Sequence, residues 1–218
     1  MIVDSHQHFW DPEQVYYPWL VPAYGPIYRA CGPAELEPQL AAAGVERTLL
    51  VQAACNFEDT EAMLAQAAEH EWIGGVVGWV PLYAHRLAER ALDRYMADRW
   101  FKGVRHLTHE EADPDWLVRP EVIDGLRILE ERDLPYDVIA VWPEHLGHVP
   151  ALAGACPDLR MVIDHLAKPP IASGEYEGWK VAMKAAAEFP NVYAKISGLN
   201  TAAEWETWTA ADLVEPIG

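Results

Sequence analysis

The sequence predicts an α/β protein, a (β/α)8 TIM-type barrel in which seven strands are legible. Three observations lead there. Short β-rich runs alternate with Ala/Glu/Leu-rich helical runs along the whole chain, a rhythm that argues for a parallel sheet. The spacing is even and no shift in composition marks a linker, so residues 1–218 read as a single domain. After the first strand the chain reads DSHQHFW, where an open dinucleotide-binding sheet would carry G-x-G-x-x-G.

The elements follow in order. A first strand is predicted at 2–8, followed by the proline-rich loop YYPWLVPAYGPIYR and a helix over 33–43 ending at Gly44. The second strand, RTLLVQA, covers 47–53, and the next helix begins at Asp59, an N-cap type residue. The third strand covers 73–82, with a helix over about 84–98. A fourth strand, FKGVRHL at 101–107, precedes a helix at about 119–132. The fifth strand spans 135–141 with a helix near 143–155, and the sixth, RMVIDHL, spans 160–166 with a helix near 175–188. The seventh, NVYAKISGL at 191–199, leads into a last helical segment. A (β/α)8 barrel usually takes about 250 residues. This sequence has 218 and shows no eighth strand before DLVEPIG. The expectation is a barrel truncated on its C-terminal side, or one closed by a rearranged terminus or by a second copy of the chain.

Composition narrows the function. The formal net charge is −18, which repels phosphate backbones and excludes nucleic acid as a partner. No apolar run is long enough to span a bilayer, no signal-peptide pattern opens the chain, and no membrane partner is expected. Cys31, Cys55 and Cys156 are scattered, without C-x-x-C, so a reducing cytoplasm is expected. Most of the ten tryptophans serve packing. Trp10 and Trp142 each follow a predicted strand, where an aromatic face can stack on a sugar ring or another small flat ligand.

Chemistry enters at IVDSHQHFW. Side chains at i and i+2 of a strand share a face, so His6 and His8 stand side by side with Asp4 one layer below. Burying three polar groups there is costly unless they are paired or bind something. A hydrogen-bonded cluster of core histidines is one reading, and a metal held by two imidazoles is the other. Barrel active sites lie at the C-terminal ends of the strands. Those ends carry His6 and His8, Gln52, Arg105 and His106, Asp164 and His165 followed by Lys168, and Lys195 and Ser197, with Asp137 near the start of the fifth strand. Such a set supports hydrolysis. His6, His8 and His165 could give three neutral imidazoles to one divalent ion such as Zn²⁺, or, with no ion, donate hydrogen bonds to a carbonyl oxygen. Arg105 could hold a carboxylate or carbonyl oxygen through two N–H groups. No G-x-S-x-G and no reactive-looking cysteine favours covalent acyl transfer.

DSHQHFWDP, FKGVRHLTHEE, MVIDHLAKPPI and VYAKISGL, in this order across the chain, resemble the amidohydrolase superfamily and, within it, the branch of sugar-lactone hydrolases. The resemblance implies hydrolysis of a small-molecule lactone of a sugar acid, or a related carboxylated lactone. It places His6, His8 and His165 at the metal or carbonyl site and Arg105 and His106 against substrate. Members of the branch differ in whether they need a metal. The branch also carries an aspartate at the end of its eighth strand in a GSDWP-like motif, which residues 1–218 lack. Two other readings compete: a superfamily hydrolase or decarboxylase acting on an amide or aromatic acid, and an inactive barrel that only binds ligand or self-associates as a homo-oligomer.

Overall fold

The computed structural model describes residues 1–218. Their contacts divide the chain into two compact units, Met1–Pro81 with Arg86–Leu107 and Leu82–His85 with Thr108–Gly218.

The first unit is built on four parallel strands in chain order: β1 (Val3–Gln7), β2 (Arg47–Val51), β3 (Ile73–Gly78) and β4 (Phe101–Arg105). Between them run α1 (Pro33–Ala43), α2 (Phe57–Glu69) and α3 (His85–Tyr95). The strands are rich in Val, Leu and Ile, and Leu50, Ile73, Val76 and Val104 are fully buried, as expected of parallel strands covered on both faces. Gly44 ends α1 in the left-handed conformation, φ 69°, and donates its N–H to Leu40 and Ala41 carbonyls. Gly78 lets α2 press on the sheet: a Cβ there would meet Thr60 Cγ2 at 2.7 Å and Phe101 Cε2 at 2.8 Å. β1 carries one extra residue against β2 between Asp4 and Gln7, and a bulge of this kind re-aims the side chains beside it.

The second unit holds three parallel strands, β5 (Tyr136–Val138), β6 (Met161–Ile163) and β7 (Val192–Ala194), paired in order with Tyr136 opposite Met161 and Met161 opposite Val192. Its helices are α4 (Pro120–Glu131), α5 (Val149–Ala155) and α6 (Glu177–Ala187). Leu126, Leu129, Tyr136, Val138, Leu152 and Met161 form its dry interior.

All seven predicted strands are present, and each stops short of its expected C-terminal end. The physical cause is visible at β2, where the Asp59 carboxylate takes the N–H groups of Ala53 and Ala54 and so withdraws them from the ladder. At β6 the backbone turns left-handed, with φ between 49° and 61° from His165 to Lys168. The helix expected at 143–155 starts at Val149 after a 3-10 turn over Leu146–His148, because Pro150 lacks an N–H and is tolerated only in a first turn. The helix expected from Asp59 is capped by Asn56, whose side chain accepts from Asp59 N at 2.8 Å. The last predicted helical segment is two 3-10 turns, Leu199–Ala202 and Ala210–Leu213. No eighth strand occurs within residues 1–218.

Candidate active site

In the first unit the ends of β1, β2 and β4 bring five of the expected residues into two adjoining clusters. The first is His6, His8 and Arg105. His8 Nδ1 lies 2.7 Å from the Val51 carbonyl. A carbonyl only accepts, so this nitrogen carries the proton and neutral His8 keeps a bare lone pair on Nε2. That Nε2 is 3.0 Å from His6 Nε2. The Arg105 guanidinium, buried at 4% exposure, directs Nη1 at His6 Nε2 (3.0 Å) and His8 Nε2 (3.5 Å). Arg105 can only donate, so both imidazole nitrogens are acceptors here. Two lone pairs converging on one point make a donor set for a cation. Their separation suits two ligands on one ion with bonds of about 2.0–2.1 Å. The histidine pair therefore fits a metal, and Arg105 stands against the same two nitrogens.

The second cluster is Gln52, Cys55, Trp79 and His106. Trp79 Nε1–H donates to His106 Nδ1 at 3.0 Å, which puts the proton of neutral His106 on Nε2. Cys55 Sγ is 3.8 Å from the same Nδ1 and accepts from Leu107 N at 3.3 Å. Gln52 is fully buried; its Nε2 donates to the Ala54 carbonyl at 3.4 Å, and its Oε1 has no partner. Behind both clusters, Asp59 Oδ2 accepts from Ala53 N (2.8 Å) and Ala54 N (3.1 Å), with Tyr17 nearby. Burial pushes the Asp59 carboxyl up to about 6, against the opposing pull of those donors and of Arg105. Burial and the same carboxylate push the Tyr17 phenol up as well.

Trp10 is held by the proline-rich loop. It pairs through its backbone with Cys31, donates Nε1–H to the Ile27 carbonyl at 3.1 Å and stacks edge-on with Trp19. With Tyr17 and Asp59 it lines a cavity of about 230 Å³.

The second unit holds His165, Lys168 and Trp142. His165 Nδ1 is 2.9 Å from Ser197 Oγ, and Gly198, φ 57°, leaves room for the ring: a Cβ there would lie 2.8 Å from His165 Nδ1. Lys168 closes the left-handed turn, its N–H donating to the His165 carbonyl at 2.9 Å. Trp142 covers Gly178, where a Cβ would meet its ring at 2.7 Å. Lys195 lies buried between Asp137, which it hydrogen-bonds, and Asp164 at 3.3 Å. An isolated buried charge would be untenable, and this arrangement gives Lys195 two opposite charges, Asp137 within β5 and Asp164 just after β6. Sequence reasoning gave no role to Asp59, Tyr17, Trp79 or Cys55. Only Asp59 left a signal there, as the assumed helix cap.

Comparison with known proteins agrees with this geometry. The amidohydrolase family model matches residues 3–218. An L-fucono-1,5-lactonase of Burkholderia ambifaria is 41% identical over 201 residues, covering 92% of this chain and 69% of that protein. A crystal structure of a Burkholderia multivorans amidohydrolase with bound HEPES superposes with a TM-score of 0.88 at 31% identity, over 99% of this chain and 77% of that one. A second crystal form of it, with bound zinc, gives 0.86 at 32% identity, over 99% and 76%. With seven strands in parallel ladders and this likeness over nearly its whole length, the chain has a TIM-type (β/α) fold and belongs to the amidohydrolase family.

Proposed function

We propose that this protein hydrolyses the lactone of a sugar acid, a 1,5-lactone such as L-fucono-1,5-lactone being the first candidate. The observation that carries the reading is the convergence of Arg105 Nη1 on the two unprotonated imidazole nitrogens of His6 and His8, in a chain 41% identical to an L-fucono-1,5-lactonase. Water adds to the ring carbonyl carbon, the carbon–ring-oxygen bond breaks, and the ring oxygen leaves as a hydroxyl once it is protonated. Arg105 and the Nε2–H of His106 are donors for the carbonyl oxygen as it gains negative charge, the term that usually dominates in acyl transfer. Gln52 Oε1 accepts from a substrate hydroxyl, and Lys168, Trp10 and Trp142 are the further substrate-side candidates.

His6 and His8 would hold a divalent ion. The zinc bound by the Burkholderia multivorans relative supports an ion of this kind. Such an ion supplies Lewis-acid polarisation of the carbonyl and a more acidic water. Residues 1–218 act as one barrel domain in this reading. Cys31, Cys55 and Cys156 are free, and no helix is long and apolar enough to cross a membrane.

The test is proton release from a panel of sugar 1,4- and 1,5-lactones. Arg105→Met should lower kcat/KM by roughly 10²-fold, the usual loss for one oxyanion donor. Hydrolysis that survives Arg105→Met unchanged would remove the assignment.

A further inference from the structure

We propose that Asp59 is a positioning residue for the substrate-side end of β2, fixing the Gln52 side-chain amide through the peptide groups of Ala53 and Ala54. This rests on the lactonase reading, in which Gln52 binds a substrate hydroxyl. Asp59 belongs to the first turn of α2 and is 1% exposed. One carboxylate oxygen takes two successive backbone N–H groups, Ala53 and Ala54. The indole of Trp19 donates to the Ala53 carbonyl at 2.7 Å, and Gln52 Nε2 donates to the Ala54 carbonyl at 3.4 Å. The Ala53–Ala54 segment is thus held on its N–H side by Asp59 and on its carbonyl side by Trp19 and Gln52.

The consequence concerns which end of the Gln52 amide is presented. A side-chain amide can be flipped with little change of shape, and its hydrogen bonds decide the orientation. The Ala54 carbonyl accepts only, so it selects the NH2 end of Gln52 and leaves Oε1 as the acceptor. Were the Ala54 peptide to rotate, that selection would be lost. Asp59 opposes it from the preceding planes: it holds the N–H groups of the Gln52–Ala53 and Ala53–Ala54 peptides and so fixes the backbone on which Gln52 stands and the Cα from which the Ala54 carbonyl projects, and releasing either buried N–H would cost a hydrogen bond. Tyr17, Val15 and Leu20 pack on Ala53 and Ala54, so the loop after β1 is fastened to the end of β2 at this point. Cys55, next along, lies against His106, so displacement of the segment also moves the thiol.

The expected behaviour is specific. Asp59→Ala should raise KM for L-fucono-1,5-lactone about tenfold or more, with a smaller change in kcat. Asp59→Asn keeps an oxygen for the two N–H groups and should restore KM to near the wild-type value. The Asp59→Ala, Gln52→Ala double variant should be no worse than Gln52→Ala alone, since residues acting as one unit are not additive. Site-resolved alkylation of Cys55 supplies a readout independent of turnover: it should quicken several-fold in Asp59→Ala and stay unchanged in Asp59→Asn. Unaltered Cys55 alkylation in Asp59→Ala, or KM effects that multiply in the double variant, would overturn the proposal. If the wild-type protein opens no lactone, the lactonase reading falls, and Cys55 alkylation alone decides whether Asp59 holds the segment.

Discussion

At the scale of the residue, the site is governed by which nitrogens carry protons. The Val51 carbonyl and the Trp79 indole set the tautomers of His8 and His106 in opposite senses. One imidazole is left as an acceptor at Nε2 and the other as a donor there. Zinc binding should follow from the first. His8→Ala should weaken zinc affinity at least tenfold, read by competition with a chromophoric chelator. Equal affinity in a His6→Ala, His8→Ala double variant would remove these residues from any metal site. Asp59 gives a second prediction. Its folded pKa is raised to about 6 from 3.8, so the folded state binds a proton more tightly than the unfolded chain does. The associated stability is fully present below about pH 4 and is lost as the pH rises through about 6. At pH 8 the ionised buried carboxylate costs roughly 2–3 kcal/mol relative to acid. Asp59→Asn should therefore stabilise the protein against denaturant at pH 8 and change little at pH 4. A variant destabilised equally at both values would show that the carboxylate is stabilising where it lies.

At the scale of the element, the strands and helices were legible because their causes are local. Period and length marked β2, β3 and β4, and Pro33 and Gly44 bracketed α1 at both ends. What escaped was decided by distant partners. Nothing in DTEAML reveals that Asp59 reaches back to Ala53 and Ala54, so it read as a cap. Nothing in IDHLAKP forbids a strand through 166, and the left-handed turn at His165 becomes visible only with Ser197 and Gly198 beside the ring. The histidines themselves were legible, since the pattern at the strand ends needs no knowledge of partners. Tight helix packing supplies a test at this scale. A Cβ on Gly125 of α4 would lie 2.2 Å from the Leu82 carbonyl oxygen, a backbone atom that cannot swing away, whereas one on Gly147 meets nothing within 4 Å. Gly125→Ala should cost about 3 kcal/mol, at the upper end for overpacking, and Gly147→Ala should stay within about 0.5 kcal/mol of wild type. Urea unfolding of the pair measures the contrast; equal midpoints would mean that α4 can move off Leu82 freely.

At the scale of the whole molecule, charge and apolar surface pull in opposite directions. A net charge of −18 opposes association between copies through self-repulsion, and salt screens that repulsion over about 8 Å at physiological ionic strength. Against it stands the region of β7, a three-residue strand that pairs with β6. Its Tyr193 is 56% exposed, and Ile196 and Trp205 beyond it are 62% and 75% exposed. Apolar side chains exposed together on one surface add a drive to associate. Association should therefore be concentration-dependent and should increase with added salt, the reverse of an electrostatic contact. Tyr193→Lys places a charge in this apolar surface without entering the buried interior. It should shift the protein towards monomer in light scattering coupled to size-exclusion chromatography at high salt, with its unfolding midpoint little changed. Wild-type protein that stays monomeric at high concentration and high salt would show that this apolar surface is too small to hold two copies together.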